Sequence, residues 1–206
     1  MHRFGVRLRL PDPISGIDVQ DSCLILFIYL TWVDPSMPKG LKNPSSPITV
    51  SFSVAESAAN TYTEEKVDLQ LNVLDQEVFV VTGINLDILP PDAIAATDTR
   101  VRGQLSSTSQ DAIRSLSTTN VMAIARDDIR AAGFVDGGVA FSAMFGESPA
   151  VGMDYLGIIA TNDFFVGVEG AGNAGAKAMT GKLYGYRAIA DAATFAALTQ
   201  SELLSA

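Results

Sequence analysis

Between Ile48 and Val54 every second residue is apolar, and Thr49, Ser51 and Ser53 fill the gaps. A period of two sends alternate side chains to opposite faces of an extended ribbon, so this stretch reads as a half-buried strand. The same signature returns at Val67, Leu69, Leu71 and Val73, which alternate with Asp68, Gln70 and Asn72. Glu77–Leu86 carries apolar residues on both parities: Phe79 and Val81 on one, Val78, Val80, Ile84 and Leu86 on the other. That strand is expected to be covered on both faces, and Pro90-Pro91 ends it because proline cannot donate to a ladder.

The pattern continues to the end of the chain. Thr99–Leu105 reads as an amphipathic strand with Arg100, Arg102 and Gln104 outward. A short helix is predicted near 110–116 with Ser109 as N-cap, then strands over Asn120–Arg126 and Val139–Phe145 around a turn at Asp136-Gly137-Gly138. The chain is organised around its last third, from Asp154 to Asp191. Leu156–Ala160 leads into a strand through Phe164, Val166 and Val168, and a second long strand carries Met179, Leu183 and Ile189 on one parity. Thr180, Lys182, Tyr184 and Tyr186 occupy the other parity. The glycine-rich turn between these strands predicts a hairpin. Ala192–Leu204 reads as a closing helix capped by Asp191.

Many short strands at about ten-residue spacing, with little helix and no strand–helix alternation, describe an all-β fold. The expectation is an antiparallel β-sandwich, with a single jelly roll as its topology. Residues 37–206 are expected to form that one domain. Residues 1–36 differ: they hold His2, Cys23 and Trp32, each the sole residue of its type, and the densest apolar run, Cys23–Val33. They read as a signal-like segment, a start placed upstream of Met37, or an arm that packs on the body or a neighbour. No stretch reaches the eighteen or so apolar residues needed to span a bilayer.

From Met37 onward there is neither His nor Cys. Ser-His-Asp and Cys-His catalysis is thereby excluded from this body, as are zinc sites built on imidazole or thiolate and a cupin's histidine cluster. Acidic pairs such as Glu64-Glu65 and Asp127-Asp128, with Glu147, suit glycosidase-type chemistry only if two of them converge. Asp87, Asp92 and Asp98 surround the proline pair without calcium-loop spacing, so they read as solvated loop acids and no metal is assigned. Gly170-Ala171-Gly172-Asn173-Ala174-Gly175 is a literal G-x-G-x-x-G after a strand. A dinucleotide site requires a helix next, but Gly181 and Gly185 are poor in a helix interior and Tyr184 and Tyr186 suit a strand. No cofactor and no enzymatic role are expected. The net charge of −9 argues against strong, direct nucleic-acid binding. Tyr184, Tyr186 and Arg187 are the candidate contact residues, for a subunit or for a stacked ligand.

Three stretches, Glu77–Ala93, Leu156–Gly170 and Gly181–Leu204, carry a resemblance. They look like the late strands and C-terminal tail of the jelly-roll coat proteins of small icosahedral viruses. The resemblance implies a major capsid subunit located in the virion, which tiles a shell with copies of itself and other virion proteins. Many such proteins of RNA viruses carry a basic arm, whereas here only Lys39 and Lys42 precede the first strand of the body. That departure implies a genome neutralised by other means and favours a DNA virus. The rival reading is a β-sandwich module that binds carbohydrate or a receptor, marked by exposed tyrosines (Tyr62, Tyr184 or Tyr186) lining a groove.

Overall fold

A computed structural model describes residues 37–131, 141–146 and 153–204. Within the unit Pro38–Ala206, the described residues form strands β1 (Leu41–Lys42), β2 (Ile48–Ala55), β3 (Thr63–Asp68), β4 (Glu77–Ile88) and β5 (Thr99–Ser106). They continue as β6 (Val121–Arg130), β7 (Phe141–Gly146), β8 (Gly157–Ile159), β9 (Asp163–Ala171) and β10 (Ala178–Ala190), closed by helix α1 (Ala192–Leu204). The expected segments at residues 1–36, the turn 136–138 and Glu147 lie outside the described residues.

The strands build two antiparallel sheets. In the first, β2 and β1 lie in succession along one edge of β10, and β4 and then β8 follow on the other side. The second runs β3-β9-β5-β6-β7. From β2 to β5, and again from β8 to β10, each strand is followed by one in the opposite sheet. This alternation is the double Greek key of a jelly roll. The sandwich read from the sequence is present.

The core lies between the sheets. Phe52 and Val54 from β2, Phe79 and Val81 from β4, Leu183 from β10, and Leu105, Phe164, Val166 and Val168 from the second sheet meet there. Phe52 and Phe164 contact edge to face, with ring centroids 5.7 Å apart. Burying each such side chain contributes about 1.5–3 kcal/mol, so the alternating positions dictate which face of each ribbon turns inward. On the outer side of the first sheet, Val78, Val80, Ala160, Ala188 and Ala190 form a smaller core with Tyr186, Phe195 and Leu198. Helix α1 therefore explains why β4 is apolar on both faces.

Several expectations are corrected. The strands flanking the glycine turn are not a hairpin, because β9 and β10 belong to different sheets and residues 172–177 cross between them. Both strands have a core-facing side to bury, and each finds its ladder partners elsewhere: β9 between β3 and β5, β10 between β2 and β4. The expected helix near 110–116 is irregular chain. Glu64 accepts hydrogen bonds from the Ser109 hydroxyl (2.6 Å) and the Gln110 amide (2.8 Å), and the Gln104 side chain accepts from the Arg114 amide (2.7 Å). The groups that would start a helix are thus committed to the sheet, and Gln104, expected to be wet, is covered.

The second alternating stretch stops being a strand at Asp68. Gln70 and Gln76 adopt positive φ (55° and 58°), and a 3-10 turn spans Val73–Asp75. Leu69 and Leu71 stay buried, their amides donating to the Asn162 carbonyl and side-chain oxygen. In β4, pairing with β10 skips Thr82: Tyr184 lies opposite Gly83 and Gly185 opposite Val81. This bulge reverses parity, so Ile84, Leu86 and Ile88 join Phe79 and Val81 against the core.

Candidate interaction surfaces

The glycine-rich crossing is densely bonded to the segments around it. The Glu56 carboxylate, at the end of β2, accepts from the Gly170 amide (2.7 Å), the Lys177 amide (2.7 Å) and the Thr61 amide (3.0 Å). Asn60 and Asn173 exchange two side-chain-to-backbone bonds of 2.8 Å. Asp92 accepts from the amides of Ala174 (2.9 Å) and Gly175 (3.4 Å) and from the Lys177 ammonium (2.6 Å). That ammonium and the two amides hold the Asp92 carboxyl below its ordinary range. A carboxylate of the chain thus occupies the amides that a phosphate would need, and a strand follows the motif. Gly172 has φ of 73°, and a Cβ there would lie 2.5 Å from the Asp98 carbonyl, so the turn requires glycine.

The other acidic candidates disperse. Asp98 accepts from the Ala131 amide (2.8 Å) and pairs with Arg130 (3.4 Å). Asp87 lies on β4. Asp127 and Asp128 are adjacent on β6, so their side chains leave opposite faces of the sheet. Glu64 is engaged by Tyr62, Ser109 and Gln110. Among the described residues no group of three or more His, Cys, Asp or Glu converges as a metal site.

Register places the predicted contact residues. Tyr184 and Tyr186 point outward from β10, whereas Arg187 shares the inward parity with Leu183 and Gly185 and donates to the Leu69 carbonyl (2.9 Å). Tyr186 packs into the smaller core under α1, and Tyr184 remains 38% exposed. Tyr184 borders an open groove of about 330 Å3 with Ser51, Asn85, Asp87, Thr180 and Lys182. Tyr62 lies on the outer face of the other sheet, where its ring covers Gly167 and its hydroxyl donates to Glu64 (3.0 Å). Burial and the Glu64 charge push its phenol up, so it stays protonated. The structure brings Tyr184 and Tyr186 to one face and sends Arg187 and Tyr62 to others.

A surface that periodicity did not single out lies on α1. Asp191 caps the helix, accepting from the Thr194 amide at 2.7 Å, and that bond holds its carboxyl below the ordinary range. At the far end the buried Glu202 accepts from the amides of Ala160 and Thr161, each at 3.0 Å. Phe195 and Leu198 face the sheet, yet the helix carries no charge on its outward side, where Ala193, Ala196, Ala197, Leu203 and Leu204 are exposed together with the uncharged Gln200 and Ser201. Leu203 is 67% and Leu204 77% exposed, and they form a shallow, mainly apolar groove of about 450 Å3 with Phe195, Ala196, Thr199 and Gln200. The exposed Leu74 (95%) lies toward the same end of the sandwich, because Asn162 ties the segment Leu69–Leu71 to the turn that Glu202 holds. The signal for this surface was in the sequence, as a helix of alanine, leucine and phenylalanine with a single charge.

No helix among the described residues is long and apolar enough to cross a membrane. No protein-family model matches the sequence, and no curated protein matches it. Among solved structures, a chain of Desmodium yellow mottle tymovirus is similar at 14% identity, over 76% of this chain and 95% of that one, with a TM-score of 0.30.

Proposed function

We propose that the chain is a structural subunit that assembles with copies of itself into a closed shell, as the coat protein of a small icosahedral virus does. Jelly rolls serve as viral coat subunits, lectins and cupins, so strand order alone does not choose among them. The observation that carries the choice is the outward side of α1. A helix that rests one side on a sheet normally shows water a polar face. This one presents Leu203, Leu204 and alanines there, with only Gln200 and Ser201 as exposed polar residues inside the helix and no charge, and Leu74 is exposed toward the same end. Contiguous exposed apolar surface marks a contact site. A shell subunit meets that need by burying roughly 800 Å2 or more against each neighbour.

Light scattering and negative-stain imaging of the purified full chain test this reading. Closed particles or rings of subunits are expected, and a strict monomer at every concentration and salt would overturn it. The Tyr184 groove supports a second reading, a carbohydrate-binding module, because one exposed aromatic ring stands beside Asn85, Asp87 and Lys182. Glycan-array binding by a chain that never self-associates would favour that alternative.

A further inference from the structure

The outer face of the second sheet gathers positive charge in an otherwise acidic protein. Arg100 and Arg102 project from β5, and Arg126 and Arg130 from β6, all on the same face by register. Arg102 lies directly opposite Arg126, and Arg100 opposite Asp128. Like charges facing each other across a ladder destabilise a sheet unless something offsets them. The offset within the chain is partial. Asp128, with its side chain 5% exposed, pairs with Arg126 (3.2 Å) and Arg130 (3.8 Å), and Asp98 pairs with Arg130 (3.4 Å). Glu169 lies opposite Arg102 on β9. Neither Arg100 nor Arg102 forms an ion pair among the described residues, and the Arg102 Nε is buried with no acceptor. Burial, then the charges of Arg100 and Arg126, lower the Arg102 pKa, so the folded chain holds this cation at a cost.

A cavity of about 240 Å3 opens beside the cluster, lined by Thr99, Arg100, Arg130 and Ala171 with Asp98 and Asp128. Arg126 and Arg130 pair with Asp98 and Asp128, and Glu169 faces Arg102, so four guanidiniums meet three carboxylates and one positive charge is left over at Arg100 and Arg102, which form no ion pair among the described residues. From this geometry we infer that Arg100 and Arg102 form a binding site for a tetrahedral oxyanion of the phosphate type. Guanidinium forks match such oxygens in a bidentate fashion, and an anion between the two would relieve the repulsion that the carboxylates leave. The inference is independent of self-assembly.

Thermal unfolding of the full chain in inorganic phosphate, against chloride at equal ionic strength, tests the site. Phosphate at about ten times its dissociation constant is expected to raise the midpoint by roughly 3–6 °C. An equal rise in chloride, or none in phosphate, would overturn the inference. Arg102→Gln is expected to abolish the phosphate-specific rise. Without phosphate its midpoint should equal or exceed that of the parent, since the substitution removes a disfavoured charge. A variant that melts lower without phosphate yet keeps the full rise would show Arg102 to be structural only and sink the assignment. A short single-stranded oligonucleotide supplies the second arm. If it displaces phosphate, backbone phosphates are the source; if it does not, the site takes the free ion, and either result requires the arginines to be present.

Discussion

At the scale of single residues, Glu56 has the largest predicted effect. Its carboxylate takes three backbone amides, from the loop after β2, from β9 and from the crossing, and all of them lose their acceptor together in Glu56→Ala. The Gly170 and Lys177 bonds are buried, and each such donor left unpaired costs about 1–3 kcal/mol, so a loss of roughly 2 kcal/mol or more is expected in denaturant unfolding. A loss below about 1 kcal/mol would mean that water replaces the carboxylate and the loops are not held as described. Gly185 tests packing in the same way. A Cβ there would lie 2.2 Å from the Val80 carbonyl and 2.4 Å from the Phe79 ring, so Gly185→Ala must move backbone. Overpacking of this kind typically costs about 1–3 kcal/mol, to be read from the shift in unfolding midpoint. In the sequence Gly185 was legible only as a poor helix residue. Its contact with Val80 exists because β10 pairs with β4, and pairing across a hundred residues leaves no mark in a local pattern.

At the scale of elements, α1 depends on its two anchors, and their acids titrate in opposite senses. Glu202 is buried, and desolvation raises its pKa above the ordinary value of 4.5 despite the amides that favour its charge. The folded state therefore binds this proton more tightly than the unfolded state. The resulting stability is complete below the unfolded pKa and is lost as pH rises through the folded one. Asp191 has a lowered pKa; its contribution is present above the unfolded value and is lost as pH falls through the folded one. Glu202→Ala, by leaving the Ala160 and Thr161 amides unpaired, is expected to speed hydrogen exchange in α1 and to remove the weakening on going from mildly acidic to neutral pH. Unchanged exchange and an unchanged pH profile would mean that Glu202 does not hold the helix. The helix, its Asp191 cap and most strands were readable because local spacing and capping chemistry specify them. The hairpin reading of β9 and β10 failed because adjacency in sequence does not name the sheet. Parity in β4 failed at Thr82 because a bulge adds one residue that alternation cannot reveal. Of the candidate surface, Tyr184 was found by parity, while the α1 groove required knowing which side of the helix the sheet already covers.

At the scale of the whole molecule, the choice is between contacts made by apolar surface and contacts made by charge, and salt separates them. Subunits of net charge −9 repel one another, with a screening length of about 10 Å at 0.1 M salt. If the outward side of α1 forms the contact, added sodium chloride weakens the repulsion without weakening the attraction, and assembly should strengthen as salt rises. A contact made through the arginine face would behave oppositely, because salt screens the pairs that hold it. The double substitution Leu203→Glu and Leu204→Glu places charge in the α1 groove. Both residues are exposed, so monomer stability should change by no more than about 1 kcal/mol, and far-UV circular dichroism should be unaltered. Assembly, measured by light scattering at matched concentration, should be lost at every salt tested. Particles that persist in this variant would move the contact away from α1, and particles that dissolve as salt rises would assign it to charge.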